Sequence, residues 1–345
     1  MKAVQYRKVG ANPEVVEIDT PTPGPGQVLL KVTAAGLCHS DIFVMSLPEE
    51  AYTYGLPLTL GHEGVGVIVD AGEAAKHSVS IGESVMVYGP WGCGRCRQCA
   101  EGYENYCTEA ARLGIRPPGL GAPGAAAEYM IVDDPRHCVP IGDLDPVTAA
   151  PITDAGLTPY HAVKRSIDKL GANSTAVVLG VGGLGHVAIQ LIKHLTSADV
   201  IALDTVPDHL DLARSVGADH ALASNQDAVA AVKDLTHGLG ADVVFDFVGI
   251  TPTIALGAQM CKVRGDWDIV GVGDGVAQVG FFKVPYACRV STSYWGTRTD
   301  LVELVELAQR GVLTVHTETY TLDQAPVAYQ KLRDHQVRGR AVLVP

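Results

Sequence analysis

Residues 175–192, TAVVLGVGGLGHVAIQLI, restrict the possible folds more than any other stretch, because the periodicity changes halfway along them. Thr175 to Leu179 read as a buried strand, Gly180-x-Gly182-x-x-Gly185 follows, and an amphipathic helix then begins. Strand, glycine loop and helix in that order form a dinucleotide-binding unit. The first glycine permits a tight turn, the second lets backbone approach a pyrophosphate, and the third lets helix pack on strand. The helix N-terminus, around Gly183 and Leu184, faces the anion. The next expected strand, 200–204, ends in Asp204, 19 residues past Gly185. A carboxylate there accepts hydrogen bonds from ribose hydroxyls and repels a 2′-phosphate. No Arg or Lys follows until Arg214, so the expected cofactor is NAD(H) rather than NADP(H). The competing reading is a glycine turn in an unrelated α/β protein, with Asp204 capping a helix. It needs five features to fall in register by accident.

The same alternation extends on both sides. A helix to about 169, strand 175–180, helix 184–194, strand 200–204, helices 208–216 and 227–236, strand 243–247, helix 253–260 and strand 267–272 predict a doubly wound α/β domain over 151–289. Residues 1–150 instead show short strands at 2–6, 15–18, 27–35, 64–70 and 84–88, with a PTPGPG turn at 21–26. That is an antiparallel, barrel-like pattern. Helix 301–309, strand 314–319, helix 324–333 and strand 341–344 break the repeat, so 290–345 are expected to rejoin the first domain. With 345 residues, 47% of them hydrophobic, the chain can fill two cores.

Charge excludes several classes of partner. The net charge is −12 and no segment concentrates Lys and Arg, so neither nucleic acid nor an anionic membrane is an expected partner. The opening MKAVQYRKVG lacks the apolar stretch of a secretory signal, and the longest apolar run, 175–192, is interrupted by glycines. A cytoplasmic location is expected.

Four of the eight cysteines crowd into one segment, GCGRCRQCAEGYENYC. Cys93, Cys96, Cys99 and Cys107 are close enough for a single loop to wrap a tetrahedral ion, and four thiolates describe a closed structural zinc. Ferredoxin-type iron–sulfur runs also open CxxCxxC, but continue with a cysteine three residues later followed by proline. Position 103 here is Tyr, and Thr108 follows Cys107. Arg95 and Arg97 are placed either to offset the negative cluster or simply in solvent. Cys138, Cys261 and Cys288 read as unpaired thiols.

Two further segments, GLCHSD (36–41) and GHEGVG (61–66), place Cys38, His62 and Glu63 at strand-to-turn boundaries as candidate metal ligands. Together with the cysteine lobe, GVGGLG, and PITDAGLTPYHA at 151–162, they make the chain resemble the zinc-containing medium-chain alcohol dehydrogenases along essentially its whole length. The resemblance is closest to bacterial NAD-dependent secondary-alcohol dehydrogenases and ketone reductases, whose PLTDAGLTPYHA is nearly matched. It implies a GroES-like, mostly antiparallel catalytic domain and a Rossmann domain. It also implies two zinc ions per chain and a homodimer or homotetramer.

By that resemblance Cys38, His62 and Asp154 hold a catalytic zinc with one position open for the substrate oxygen. Glu63 lies beside the metal as an alternative ligand, and Asp41 orients His62. Ser40 takes the alcohol proton; its other reading is a helix cap ahead of 41–45. Phe43 stands where several relatives carry a relay histidine, leaving water or His39 for the proton. His39 is also placed near the pyrophosphate. His209 replaces a Lys or Arg common in relatives, implying looser and pH-dependent cofactor binding. Thr158, Val248, Val270, Val272 and Arg340 are further cofactor contacts by family position.

Phe43, Tyr54, Leu120, Tyr294 and Trp295 are the implied pocket walls, though each aromatic also reads as plain core. They include no Arg or Lys, so carboxylate substrates are disfavoured and secondary alcohols, alkyl or aryl, are favoured over polyols. Primary alcohols and aldehydes stay within reach. A zinc-dependent polyol or threonine dehydrogenase is the main alternative. A zinc-free quinone or enoyl reductase and a non-catalytic NAD-binding structural protein are the others, and neither needs the Cys–His–Asp set.

Overall fold

A computed structural model describes residues 1–345 and separates them into two compact units, one comprising Met1–Leu157 with Thr297–Pro345 and the other Thr158–Gly296. The first unit is built on a seven-stranded sheet. Its order is Thr317–Thr321, Arg340–Val344, Val28–Leu37, Glu63–Ala71, Ser84–Val87 and Cys138–Pro140, with Tyr129–Val132 also pairing to Val28–Leu37. All pairs are antiparallel except that between Thr317–Thr321 and Arg340–Val344. A three-stranded sheet of Glu14–Glu17, Lys2–Tyr6 and Leu58–Thr59 completes the unit. Val4, Leu30, Leu37, Ile68, Met130 and Leu343 belong to one buried cluster.

Register decides where this unit places its chemistry. Gly36 pairs with Glu63, and Leu37 with Ala341, so three strands end or begin side by side. Cys38, His62 and Arg340 are each one residue from those pairs. Gly36 is required there: a Cβ on it would stand 1.8 Å from Oε2 of Glu63.

The second unit is a six-stranded sheet, wholly parallel, in the order His220–Ala223, Asp199–Asp204, Thr175–Leu179, Ala241–Asp246, Cys261–Ile269, Arg289–Thr292. Ala176 and Val178 of its central strand belong to one apolar cluster, Val177 and Leu179 to another, as a strand covered on both faces requires. Strand order reverses between Thr175–Leu179 and Ala241–Asp246, which is where doubly wound sheets bind ligands.

Several expected elements change. The long helix ending near 169 is four short pieces, Pro146–Ala149, Ala150–Thr153, Leu157–Arg165 and Ile167–Lys169. Pro151 and Gly156 interrupt it. The strand expected at 267–272 begins at Cys261, and the strand at 314–319 is Thr317–Thr321. The α/β repeat runs one strand further than expected, to Arg289–Thr292, and includes the unforeseen edge strand His220–Ala223, whose ends are exposed. No helix is long and apolar enough to cross a membrane.

Candidate active site and zinc lobe

Cys38, His62 and Asp154 are buried, and their donor atoms lie within 4.8 Å of one another. Asp154 Oδ2 is 3.3 Å from Cys38 Sγ and 3.4 Å from His62 Nε2. Ligand edges of about 3.3–3.6 Å follow from tetrahedral geometry at ordinary zinc distances, so the donor set fits zinc. Its charge fits as well. Burial opposes protonation of His62, yet Asp41, Asp154 and Cys38 together push its pKa well above the usual imidazole value. The pocket favours a cation.

Asp41 links this site to its scaffold. Its Oδ1 is 3.0 Å from His62 Nδ1, while Oδ2 accepts from the Cys38 amide at 3.2 Å and from the Tyr329 hydroxyl at 3.3 Å. The helix His39–Ser46 therefore has Cys38, not Ser40, at its N-cap, and the capping role suggested for Ser40 is not the one it plays. Ser40 Oγ instead sits 3.4 Å from Cys38 Sγ. Tyr329, on the helix Ala325–Arg333, carried no local signal; only tertiary contact reveals it.

Glu63 and Arg340 form a buried two-point ion pair. Arg340 Nε donates to Glu63 Oε2 at 3.0 Å, and Nη2 to Oε1 at 2.5 Å and to Asp154 Oδ2 at 3.0 Å. Glu63 Oε1 also accepts from the Ala155 amide at 3.1 Å. Both oxygens of Glu63 are thus engaged, and it stands outside the convergent donor set. Burial weakens the charged form of Arg340, but Cys38, Glu63 and Asp154 overcome it and hold the guanidinium well above the ordinary arginine value. His39 stacks on His335 with ring centroids 5.2 Å apart. Desolvation of that ring, then His335 and Arg340, lowers its basicity, although the residue as a whole is exposed.

In the lobe, Sγ–Sγ separations are 4.0 Å for Cys93–Cys99, 3.5 Å for Cys96–Cys99 and 3.8 Å for Cys96–Cys107. A tetrahedral Zn(Cys)4 site has edges of about 3.8 Å, so four thiolates here fit a closed zinc. Backbone amides add directed dipoles: Cys93 N points at Cys107 Sγ and Cys96 N at Cys93 Sγ. Arg97 does not offset the cluster; it is exposed and pairs with Glu101 at 2.8 Å. Glu104 ties the lobe down instead. It accepts from the Gly92 amide, Arg136 and His137, and His137 also meets Asp133 at 2.7 Å while stacking on Trp91.

In the second unit each motif glycine has a visible reason. Gly180 adopts φ +87°; a Cβ on Gly185 would lie 1.8 Å from the Gly180 carbonyl oxygen; Gly182 faces open space, as a pyrophosphate approach requires. Gly183 and Leu184 lead into the helix Gly185–Leu195. Asp204 is already engaged: Oδ2 accepts from Val181 N at 2.7 Å, Oδ1 from Val206 N at 2.9 Å, and His209 Nδ1 lies 3.2 Å from Oδ1. Burial pushes its pKa up, but His209 and the two amides prevail and hold it below the usual carboxylate value.

Val248 packs against Gly180, Val270 and Thr158 are buried, and Val272 is exposed. Trp295 is buried with φ +52°, uncommon for a bulky residue, its ring 5.7 Å from that of the exposed Tyr294. In the first unit Phe43 is exposed, Leu120 is half-buried, and the Tyr54 ring packs at a tilt of 60° against Tyr52, centroids 5.8 Å apart.

Residues 24–143 match the alcohol dehydrogenase GroES-like domain family, and residues 183–310 the zinc-binding dehydrogenase family. Over its full length the chain is 32% identical to a D-arabinose 1-dehydrogenase (NADP(+)) of Saccharolobus solfataricus, 97% of which is covered. Among solved structures it is similar to the alcohol dehydrogenase of Aeropyrum pernix, with TM-score 0.93 and 33% identity over 100% of both chains. It is also similar to the acetophenone reductase of Geotrichum candidum in complex with NAD, with TM-score 0.88 and 30% identity over all of this chain and 97% of that one.

Proposed function

The chain belongs to the zinc-dependent medium-chain alcohol dehydrogenases, with their GroES-like and Rossmann folds, and from that premise we propose that it interconverts secondary alcohols, alkyl or aryl, with their ketones. Its cofactors are zinc and NAD(H). The observation that carries the proposal is the convergence of Cys38, His62 and Asp154, with the Ser40 hydroxyl 3.4 Å from the Cys38 sulfur.

Cys38, His62 and Asp154 would hold a zinc ion that supplies Lewis acidity toward an alcohol oxygen, and NAD+ would supply the hydride acceptor. The chain's own residues do the rest. Ser40 Oγ takes the alcohol proton and passes it on, by His39 or by water, because Phe43 offers no acceptor. Asp41 holds the Nδ1–H tautomer of His62 and so aims Nε2. Glu63 and Arg340 are positioning residues that fix Asp154. Met1–Leu157 with Thr297–Pro345 act as the catalytic domain and Thr158–Gly296 as the NAD domain. Val248, Val270, Val272 and Thr158 serve the cofactor, and Asp204 selects against a 2′-phosphate. Phe43, Tyr54 and Leu120 of the first unit, and Tyr294 and Trp295 of the second, are the apolar side chains that this reading assigns to the substrate. A homodimer or homotetramer in the cytoplasm completes the reading.

The D-arabinose relative favours a second reading, a dehydrogenase of sugars or polyols. Initial rates with 1-phenylethanol, 2-butanol, sorbitol, threonine and D-arabinose, each with NAD+ and NADP+, separate the two. The proposal expects the first two substrates with NAD+ to lead; D-arabinose with NADP+ leading rejects it. Turnover that survives complete removal of zinc rejects both.

A further inference from the structure

The strands Cys261–Ile269 and Arg289–Thr292 bring together two thiols that the proposed chemistry does not use. Ala241 pairs with Cys261 but Val243 pairs with Asp266, so residues 262–265 leave the ladder as a bulge, with Arg264 in the left-handed region at φ +64°. The bulge turns Cys261 back alongside its own strand. Its Sγ lies 3.6 Å from the Asp266 carbonyl oxygen and 3.5 Å from Sγ of Cys288, the residue before Arg289, itself paired with Asp266. Gly265 leaves the room: a Cβ there would be 2.6 Å from the Cys261 sulfur. The Arg264 amide donates to the Tyr286 carbonyl at 2.9 Å, fastening the bulge to the segment that leads into Cys288.

The two sulfurs are unequal. Cys261 is buried and Cys288 is partly exposed, so a small reagent reaches one while the other waits behind it. The hydrogen bond from the Cys261 thiol favours the Cys288 thiolate, against burial and Asp266, with Lys169 assisting. The same bond and burial push the Cys261 thiol far up.

We propose that Cys261 and Cys288 are a reversible dithiol–disulfide site that a hydroperoxide oxidises. The Cys288 thiolate attacks one peroxide oxygen; an S–O bond forms, the O–O bond breaks, and the departing alkoxide takes a proton from solvent to leave as an alcohol, or as water from hydrogen peroxide. The Cys261 sulfur then attacks the sulfur of that sulfenic acid. The S–S bond forms, the S–O bond breaks, and hydroxide leaves with the Cys261 proton as water. Two thiols lose two electrons and one peroxide gains them. Small-molecule thiols reverse the step by exchange. Bond formation has to close the sulfurs from 3.5 Å to about 2.05 Å. The bond would clamp the base of the 262–287 segment, which carries the exposed Val276, Val279, Phe281 and Phe282.

The test treats the zinc-loaded full chain with hydrogen peroxide, blocks remaining thiols with iodoacetamide under denaturing conditions, and maps peptides without reduction. The expected result is a cross-linked peptide joining Cys261 to Cys288, lost on dithiothreitol treatment and absent from Cys288→Ser. In Cys261→Ser, dimedone should label Cys288 and no cross-link should form. Both cysteines recovered alkylated, Cys288 over-oxidised without a cross-link, or cross-links confined to the 93–107 lobe would each overturn the proposal. The wild-type map decides the matter even where a variant fails to fold.

Discussion

Arg340 touches both Glu63 and Asp154, so one guanidinium neutralises a fully buried carboxylate and steadies a candidate metal ligand 186 residues away in sequence. Removing one partner of a buried pair strands the other, which typically costs about 3–5 kcal/mol. Glu63→Gln should lower stability by roughly that amount and loosen the zinc held by Asp154. Chemical denaturation together with zinc content measures both. A variant as stable as the parent and full in zinc would remove Glu63 from its positioning role.

Asp41 acts on the metal site through His62. Asp41→Asn should reduce zinc affinity or kcat by about 10–100-fold, since partners behind metal ligands commonly carry that much. Tyr329→Phe, which removes one hydrogen bond to the same carboxylate, should cost only about 0.5–1.5 kcal/mol in stability. Zinc titration and kcat for the two variants should separate them clearly.

Cofactor choice should follow Asp204. Asp204→Asn keeps an acceptor for Val181 N but removes the charge, so kcat/KM for NADP+ relative to NAD+ should rise about tenfold or more. Steady-state kinetics with both cofactors checks this. An unchanged ratio would leave discrimination to other residues.

Stability should fall at both ends of the pH range because of the lobe's anchor. Glu104 sits below its usual value, at about 2: burial pushes it up, but His137 and Arg136 prevail. Its contribution is present above the unfolded carboxylate value and is lost as pH falls towards 2. His137 is raised, with Asp133 and Glu104 overcoming burial. Its contribution is complete below the unfolded imidazole value and is lost as pH rises through the folded one. Tm against pH should show both limbs. Glu104→Gln should flatten the acid limb, and His137→Gln the other.

What could be read in advance divides along physical lines. The glycine loop and the cysteine lobe were legible because turn geometry and metal coordination demand particular residue types at short spacing, whereas Asp154 joined the distant Cys38 and His62 only through the family resemblance. The edge strand His220–Ala223 was not, since its exposed ends hide the apolar run that marks its buried neighbours. The alternative reading of Ser40 as a cap falls away because the N-cap position belongs to Cys38, whose amide is satisfied by Asp41. Tyr329 and the engagement of Glu63 by Arg340 depend on strands and helices distant in sequence meeting at one edge. No local pattern encodes such meetings.

That edge also sets an order of events during synthesis. Cys38, His62 and Asp154 leave the ribosome well before the strand Arg340–Val344 exists to pair with Leu37. Until then the acidic pocket has no internal guanidinium to balance it.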